Sequence, residues 1–413
     1  MTGSTALVVA EPVGGTPELD DALRNEGFEV RHATAGELFA GAGRRGAPDV
    51  LLVSASLGLE RIGRLRQYLA AAPGSLTTMV FPDGDFGALE SCVQGGFDYV
   101  VPPFLPGLLR TRVTSCSERS RLTTAVEQMA AAASLREYER DLSIAHDIQA
   151  GFLPEALPNP AGWEFASRFR PAKQVAGDFY DGFELVNGTR VGFVVADVCD
   201  KGIGAALFMA LIRTLLRHTA EHTGAWDLMG TDPGVVADRA AGTGVALPPL
   251  LSVGAGPLVQ AVVGTNRYMA RNHLRQGYFA TLFFGVLDPV TGALLYINGG
   301  HNPPVVLRAN GERALLAPTG PAVGMLPDSS YALGHTTLAN EDALFVYTDG
   351  VTEARDPDGA LFGTERMLTI AEQQGGESAE TLLTAMDGAL AQHVGSAEQS
   401  DDITMLAVRR AGG

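Results

Sequence analysis

Aspartates beside glycines, at the ends of apolar runs, are the residues of this chain whose type and spacing best suit chemistry. They lie in four segments: AGDFYD (Asp178, Asp181), ADVCDKG (Asp197, Asp200), YTDG (Asp349) and SDDIT (Asp401, Asp402). A buried carboxylate is costly unless something compensates its charge. Lys201 is the only cation within two residues of any of them. We therefore expect hard divalent cations, Mg²⁺ or Mn²⁺, to neutralise this set of oxygen ligands.

A simpler interpretation exists for each segment alone, because Asp and Gly both favour turns at strand ends. Four such segments, three of them next to strongly apolar runs, favour one shared site instead. The sequence has no CxxC or HExxH zinc pattern, no GxxxxGK[ST] loop and no GxSxG motif. Cys199 lies among acids, which raise the pKa of a thiol, so a thiolate nucleophile is not expected.

Composition limits the classes of partner. The chain has 413 residues and a formal net charge of −17. Such an acidic surface repels phosphate backbones and anionic lipids, so we expect neither a nucleic acid nor a membrane as partner. Three cysteines are too few for a disulfide framework. With no basic N-terminal segment and no apolar run of 18 residues, the sequence predicts a cytoplasmic protein.

The sequence divides into three regions, and the third contains the aspartates. Residues 1–116 alternate short apolar runs, such as TALVVA (5–10) and DVLLVS (49–54), with segments that can form helices. Runs that are apolar throughout are typical of strands buried on both faces of a parallel sheet. This region therefore predicts a doubly wound, flavodoxin-like α/β domain.

Residues 117–153 predict a helical linker, because neither Pro nor Gly interrupts the segment before Gly151. Two apolar seams, 122–133 and 135–145, follow helical spacing in different registers. One interpretation is a single amphipathic helix packed on its own domains. The interpretation we favour is a coiled coil that pairs two copies of the chain, with a register break that permits alternative pairings.

Residues 154–413 predict a layered α+β domain, because strands such as VGFVVADV (191–198) and helices near 203–221 and 256–273 do not alternate strictly. Residues 222–255 are rich in Gly and Pro and show little periodicity. We interpret them as a surface insertion, either mobile or a lid.

Six ordered segments carry a family resemblance: AGDFYD, ADVCDKGIGAALFMA, ATLFFGVLDPVTGALLYINGGHNPP, PTGPAVG, YTDGVTEARD and SDDIT. They resemble the SpoIIE/RsbU-type branch of the PPM (PP2C-like) serine/threonine phosphatases. The segment IAHDIQAGFLPEALP (144–158) is similar to the one that precedes the catalytic domain in that branch. The resemblance covers about residues 144–410. It implies a β-sandwich flanked by helices, with two Mn²⁺ or Mg²⁺ ions at one end.

The resemblance also implies a role for each residue. By motif, the metal ligands are Asp178, Asp197, the Val198 carbonyl, Asp349 and Asp401, and the supporting positions are Asp181, Gly350 and Asp402. Asp197 falls on the ligand that bridges both ions. A water shared by the two cations would lose a proton near neutral pH and attack phosphorus in line, so no covalent enzyme intermediate is needed.

Asp200 and His301 each have two possible roles. Asp200 replaces a glycine that is common in the family's DVxG motif, and its carboxylate either pairs with Lys201 or supports the metal site through a water. His301 lies in GGHNPP, a family motif near the site. It is either a buried histidine that the backbone satisfies or a residue that orients substrate.

The first region resembles a response-regulator receiver, since GGFDYVVPPF is similar to GADDYLxKPF and PDVLLVSASL to PDLILLDLMM. Such a domain needs an acceptor aspartate after the third strand, acids after the first strand and a lysine before PF. Here Ser54 takes the acceptor position, Glu11 is the one acid left, and Pro102 replaces the lysine. We predict a pseudo-receiver that is not phosphorylated and serves either for dimerisation and docking or for sensing a ligand or partner.

Together these patterns predict a homodimeric, metal-dependent protein phosphatase that is regulated through its pseudo-receiver and linker. The resemblance implies that its substrate is a phosphoserine or phosphothreonine protein, a STAS-type anti-sigma-factor antagonist in the partner-switching control of a sigma factor. The alternative is a catalytically silent scaffold that only binds such a partner. A phosphorelay regulator with a phosphatase output is disfavoured by Ser54 and Pro102.

Overall fold

The structure is a computed structural model that describes residues 4–11, 17–40, 48–70, 76–226 and 255–412. The chain divides into two units, Met1–Tyr138 and Glu139–Gly413. The boundary between them falls within one long helix, Pro106–Ala150, which also contains most of the predicted linker. The predicted insertion at 222–255 lies, apart from its two ends, outside the described residues.

The first unit is built on a parallel sheet. Its strands are β1 (Thr5–Val9), β2 (Glu29–Ala33), β3 (Val50–Ser54), β4 (Thr77–Phe81) and β5 (Asp98–Tyr99). Its helices are α1 (Pro17–Asn25), α2 (Ala35–Phe39), α3 (Leu59–Ala70), α4 (Phe86–Gln94) and the start of α5 (Pro106–Ala150). The strand order β2-β1-β3-β4-β5 is that of flavodoxin-like doubly wound sheets.

Strand β3 shows why this sheet forms. Its residues are buried on both faces: Val50 and Leu52 pack into one core and Leu51 and Val53 into the other. Side chains alternate between the faces of a strand, so a continuous apolar run is what a sheet with helices on both sides requires. The strand ends at Ser54, which is also fully buried.

The second unit contains two antiparallel sheets. One has the order β13-β10-β9-β8-β7 and the other β12-β11-β14-β15-β6. The strands are β6 (Trp163–Arg170), β7 (Phe179–Leu185), β8 (Arg190–Val198), β9 (Ala280–Leu287), β10 (Ala293–Gly299), β11 (Val305–Leu307), β12 (Arg313–Leu315), β13 (Gly334–Thr337), β14 (Ala343–Tyr347) and β15 (Ile403–Arg410).

Helices cover the outer face of each sheet. They are α6 (Ile203–Trp226), α7 (Ala255–Asn272), α8 (Asp349–Thr352), α9 (Thr364–Gln373) and α10 (Ala379–Val394). Helices α6 and α7 pack on the first sheet, and α9 and α10 pack on the second. The unit is therefore a sandwich of four layers, helices–sheet–sheet–helices, as the α+β prediction and the resemblance imply.

Strand β8 illustrates how the layers are held. Phe193 and Val195 point between the two sheets, whereas Val194 and Ala196 point towards the helices. Because both faces of the strand are buried, its sequence is a continuous apolar run, VGFVVA, which is followed directly by Asp197.

Among the described residues, one stretch of α6, Ile203–Thr223, has the length and hydropathy of a membrane-spanning helix. Its residues Ala205, Met209, Ile212 and Leu216 follow helical spacing and are buried against the first sheet. This burial is that of a helix in a protein core.

Candidate metal centre

The topology places all four aspartate segments at one end of the sandwich. Strands β7 and β8 are antiparallel neighbours, so Asp178, just before β7, lies beside Asp197, near the end of β8. Strands β14 and β15 are antiparallel neighbours too. Asp349, after β14, therefore lies near Asp401 and Asp402, before β15.

Asp178 connects the two sheets. Its Oδ2 accepts hydrogen bonds from the hydroxyls of Thr348 (2.8 Å) and Thr404 (2.7 Å), which belong to the second sheet. The Thr404 N–H in turn donates to Thr348 Oγ1 at 3.0 Å. Neither threonine was predicted as a site residue, although both lie next to predicted aspartates in YTDG and DDIT. A hydroxyl beside a buried carboxylate is the signal that could have found them.

Asp402 holds the backbone that carries Asp178. Its two carboxylate oxygens accept hydrogen bonds from the N–H groups of Ala172 (2.7 Å) and Gly177 (2.8 Å). Gly350 allows this packing, because a Cβ there would lie 1.9 Å from the Asp402 carbonyl oxygen. These contacts give Asp402 and Gly350 a physical basis for the supporting positions that the resemblance implies.

Asp197 interacts with acids from three other segments. Burial, followed by the charges of Asp349 and Asp401, raises the pKa of Asp197 to about 7, and a hydrogen bond with Asp178 partly opposes this. The pKa of Asp178 is raised well above its ordinary value by burial and then by Asp197. Each carboxylate thus makes its neighbours harder to ionise, which is the behaviour of acids gathered without counter-charge.

One cation reaches the cluster. Lys201 Nζ lies 2.9 Å from Asp401 Oδ1 and donates to the Ser400 carbonyl at 2.6 Å. Burial, Asp401 and Glu353 raise the pKa of Asp349, while Lys201 acts in the opposite direction. Because a single ammonium faces several carboxylates, the local charge of the described residues remains negative.

The end of β8 approaches the loop before β7 very closely. A Cβ on Gly177 would lie 2.7 Å from the Val198 carbonyl oxygen, so only glycine fits there without movement. Asp200 has φ +75°, a left-handed conformation that favours glycine, and its Oδ1 accepts from the Lys201 N–H at 2.8 Å. This conformation explains why glycine is common at that position in the family.

Asp181 lies outside the cluster. It is buried on β7, where its Oδ2 forms an ion pair with Arg213 Nε at 2.8 Å and its Oδ1 accepts a hydrogen bond from Arg217 Nη1 at 3.1 Å, both on α6. Local sequence patterns could not predict these contacts, because both arginines are more than 30 positions away from Asp181. The contacts make Asp181 an anchor for α6 on the first sheet, and a supporting role at the cluster would have to act through that helix.

His301 is fully enclosed beside the cluster. Its Nδ1 lies 2.9 Å from the hydroxyl of Thr281, the residue that pairs with Asp197 across β8 and β9. Burial lowers its pKa to about 4, against an opposing effect of the Tyr347 backbone. The histidine is thus neutral and buried, its Nδ1 is satisfied by a side-chain hydroxyl, and its buried Nε2 has no hydrogen-bond partner among the described residues, so the structure leaves both roles of His301 open.

The C-terminal end of α5 reaches the same loop. Gln149 is buried, its amide nitrogen donates to the Ala176 carbonyl at 2.7 Å, and its amide oxygen accepts from the Ala176 N–H at 2.9 Å. His146 Nδ1 lies 2.7 Å from the Gln174 carbonyl oxygen. Gln149 was not predicted as a site residue, although it stands in the IAHDIQ segment, and its amide fixes the backbone two residues before Asp178.

The donor chemistry of this cluster fits hard divalent cations. Its polar atoms are oxygens, it is mostly buried, and Lys201 compensates only part of its charge, which suits such ions. In the described part of the chain, no three acidic, histidine or cysteine side chains are gathered closely enough to hold one ion.

The four-layer sandwich with an acidic end defines the PP2C-like class of phosphatase domains. The solved SiaA-PP2C domain of Pseudomonas aeruginosa has this fold: it superposes with a TM-score of 0.53 at 21% identity, covering 67% of this chain and 99% of that one. At this identity the similarity shows the fold alone.

Residues 187–411 match the family model described as Stage II sporulation protein E (SpoIIE), which covers more than half of the chain. The chain therefore belongs to the SpoIIE family.

Two curated relatives match a similar length. "Protein IcfG" of Synechocystis sp. (strain ATCC 27184 / PCC 6803 / Kazusa) is 38% identical over 270 residues, which are 65% of this chain and 41% of that protein. "Phosphoserine phosphatase RsbU" of Bacillus subtilis (strain 168) is 23% identical over 276 residues, 67% of this chain and 71% of that protein. The chain thus spans less than half the length of the first relative.

Proposed function

We propose that this protein is a metal-dependent protein serine/threonine phosphatase that hydrolyses phosphoserine or phosphothreonine on a partner protein. The observation that carries the proposal is the cluster of aspartates from four segments that raise one another's pKa with one lysine beside them. Membership of the SpoIIE family supports the reaction class. A cluster of this charge at the end of a sandwich suits phosphoryl chemistry better than it suits a passive surface.

Mn²⁺ or Mg²⁺ would be held by the carboxylates of Asp178, Asp197, Asp349 and Asp401 and by the Val198 carbonyl. When bound, two such ions lower the pKa of a water and offset the negative charge of the phosphoryl oxygens. Asp178 keeps Oδ1 for this purpose, because its Oδ2 already accepts from two threonine hydroxyls.

The remaining residues position the ligands. Asp402 uses both oxygens to hold the backbone before Asp178, so it has the weakest claim to bind an ion directly. Gly350 permits the close approach, and Asp200 shapes the turn after Asp197. Lys201 holds Asp401 in place and partly neutralises it.

The identity of the substrate is inferred from relatives. One relative is named a phosphoserine phosphatase, and the SpoIIE/RsbU resemblance implies a STAS-type anti-sigma-factor antagonist. We propose such a protein as substrate, within the control of a sigma factor in the cytoplasm.

Regulation is proposed to pass from the N-terminal unit through α5. The seam residues Leu122, Val126 and Met129 are 68%, 65% and 72% exposed, as expected of a helix that pairs with a second copy. The bonds of Gln149 to the Ala176 backbone supply a route from this helix to Asp178. A homodimer whose helix pairing differs between two registers would therefore alter the metal centre.

The N-terminal unit is proposed to be a pseudo-receiver. Ser54 is buried and its Oγ lies 2.7 Å from that of Ser56, while Glu11 pairs with Arg61 at 3.3 Å. These side chains offer neither a carboxylate that could accept a phosphoryl group nor a free pair of acids for Mg²⁺. The proposed role of the N-terminal unit is therefore docking or sensing.

The experiment that tests the proposal is release of inorganic phosphate from a phosphoserine peptide by the full chain. We expect release with Mn²⁺ and none with EDTA. The scaffold alternative predicts binding of the phosphorylated partner without release under either condition. An Asp349→Asn variant used as bait in the native cell would then identify the substrate.

A further inference from the structure

Three arginines stand on one exposed part of the second unit. Arg267 and Arg271 are four residues apart on α7, so they share a helix face. Arg275 follows in the short 3-10 turn Leu274–Gln276, directly after that helix. All three are exposed.

These arginines differ from the others in the domain. Within the described residues of 163–410, every other arginine contacts a carboxylate, a carbonyl oxygen or a histidine nitrogen, as Arg190 does with Asp288. Arg267, Arg271 and Arg275 have no hydrogen bond or ion pair within the part of the chain that the structure describes. In a protein with a net charge of −17, three nearby arginines without a partner among the described residues form a local exception.

Exposed apolar side chains lie next to them. Tyr268 on α7 and Leu274 are 42% and 54% exposed. The ring of His273, next to Leu274, packs against those of Phe208 (5.2 Å between centroids) and Tyr268 (5.7 Å). We call Arg267, Tyr268, Arg271, Leu274 and Arg275 the arginine surface.

The arginine surface borders the metal centre. Two residues that follow Leu274 contact Cys199. The Cys199 N–H donates to the Phe279 carbonyl at 3.0 Å, and the Cys199 Sγ lies 3.7 Å from the Gly277 carbonyl oxygen. Cys199 is two residues after Asp197. A protein segment that places a phosphoryl group at the aspartates therefore has this surface beside it.

We propose that the arginine surface docks an acidic, partly apolar segment of the substrate protein, next to its phosphorylated residue. The proposal rests on the proposed phosphatase function and adds the chemistry by which the partner is recognised. Unpaired arginines complement carboxylates, and Tyr268 and Leu274 offer apolar contact at the same place. The repulsive surface elsewhere on the chain disfavours such a segment, which makes this surface selective.

The test compares the double variant Arg271→Glu/Arg275→Glu with a control of equal charge change, Arg313→Glu/Arg366→Glu, on β12 and α9. The probes are two fluorescent phosphoserine peptides of equal length, one flanked by Glu and Leu and one by Lys and Leu. Binding is measured by anisotropy in EDTA and turnover in Mn²⁺, with p-nitrophenyl phosphate as a small substrate.

We expect the Arg271→Glu/Arg275→Glu variant to bind the acidic peptide at least about tenfold more weakly than the wild type, with a smaller dependence on salt. Its turnover of p-nitrophenyl phosphate should stay within about twofold, because that substrate reaches only the metal centre. The control variant should keep both properties.

Acidic-peptide binding within about twofold of the wild type overturns the docking proposal. So does an equal loss with both peptides, or stronger binding of the wild type to phosphatidylserine vesicles than to the acidic peptide. If the wild type binds the acidic peptide but hydrolyses no probe with Mn²⁺, the phosphatase proposal fails, and the binding comparison still decides the docking proposal.

Discussion

The two units of the chain both bring strand ends to one edge, but they place different side chains there. In the first unit, β3 ends at Ser54, whose hydroxyl bonds to Ser56, and the acid after β1, Glu11, pairs with Arg61. In the second unit, aspartates meet at the strand ends and raise one another's pKa. In the first unit these polar side chains have partners within the protein and leave little net charge. In the second unit the aspartate cluster needs a cation to balance its charge.

This difference shows that a fold can bring strand ends together at a potential ligand site without supplying the side chains that bind a ligand there. The carboxyl edge of a doubly wound sheet is where such folds place ligands, yet Ser54 after β3 and Glu11 after β1 do not offer an acidic pair there to hold an ion. Function follows the side chains and not the architecture.

Replacing Asp197 by Ala should remove nearly all turnover, by at least about 1,000-fold, because this carboxylate interacts with Asp178, Asp349 and Asp401, the other proposed ligands. The fold should survive, since the change relieves repulsion among buried acids. Steady-state kinetics and circular dichroism check both statements. Activity within a few-fold of the wild type at saturating Mn²⁺ would show that the metal assignment is wrong.

Replacing Asp402 by Ala should reduce turnover less, by about 10- to 100-fold, because this side chain holds backbone and leaves the ligands in place. It should also lower the free energy of unfolding by about 1–3 kcal/mol, since the N–H groups of Ala172 and Gly177 lose their acceptor. Asp402→Asn, which keeps one acceptor oxygen, is the matched control. An Asp402→Ala loss equal to that of Asp197→Ala would make Asp402 a ligand.

Inserting one alanine after Ala132 should change the turnover number several-fold, because it rotates the downstream part of α5 by about 100°. The rotation should reach Asp178 through Gln149. Inserting seven residues at the same place restores the helical phase and should restore turnover. If the full chain is monomeric at micromolar concentration and turnover is unchanged, the linker is only a tether.

Removing metal should make stability depend on pH. The pKa of Asp197 is raised to about 7, and those of Asp178 and Asp349 are raised too. A carboxyl with a higher pKa in the folded than in the unfolded state binds more protons when folded, so the free energy of unfolding falls as pH rises from about 4 to about 7.

With EDTA we expect a Tm several degrees lower at about pH 7.5 than at about pH 5.5. Mn²⁺ should raise the Tm more at the higher pH, because it binds the ionised carboxylates. The Asp197→Asn variant should lose part of this dependence, because burial still raises the pKa values of Asp178 and Asp349. A Tm in EDTA that increases over the same interval would contradict the electrostatic account.

The smallest effect is expected in the first unit. Acetyl phosphate with Mg²⁺ should leave no acyl phosphate on residues 1–116, because Ser54 replaces the acceptor. Intact mass measurement of the full chain checks this. A stoichiometric adduct in that region would restore the receiver chemistry that we exclude.

Much of the fold was accessible from sequence. The predicted helices near 203–221 and 256–273 correspond to α6 and α7, because strong periodicity and length leave little ambiguity. The short strands β11, β12 and β13 were missed, since three or four residues carry too little pattern.

The site was less accessible where it depends on distant contacts. The aspartates were visible because acids beside apolar strands are unusual, and the raised pKa of the Cys199 thiol was foreseen from its acidic neighbours, although burial is the larger cause. The ion pair of Asp181 with Arg213 could not be predicted from neighbouring residues, because the two are distant in sequence. The hydrogen bond of the Gln149 amide to the Ala176 backbone could be identified only from the tertiary fold.

The central claim is that the aspartate cluster holds two divalent ions, and titration calorimetry of the metal-free full chain with Mn²⁺ tests it most directly. The account predicts two ions for each wild-type chain and fewer for Asp197→Ala, with Asp181→Asn binding close to the wild type, because Asp181 faces arginines instead of the cluster. A wild-type chain that binds no Mn²⁺, or an Asp197→Ala variant that binds as the wild type does, would contradict it.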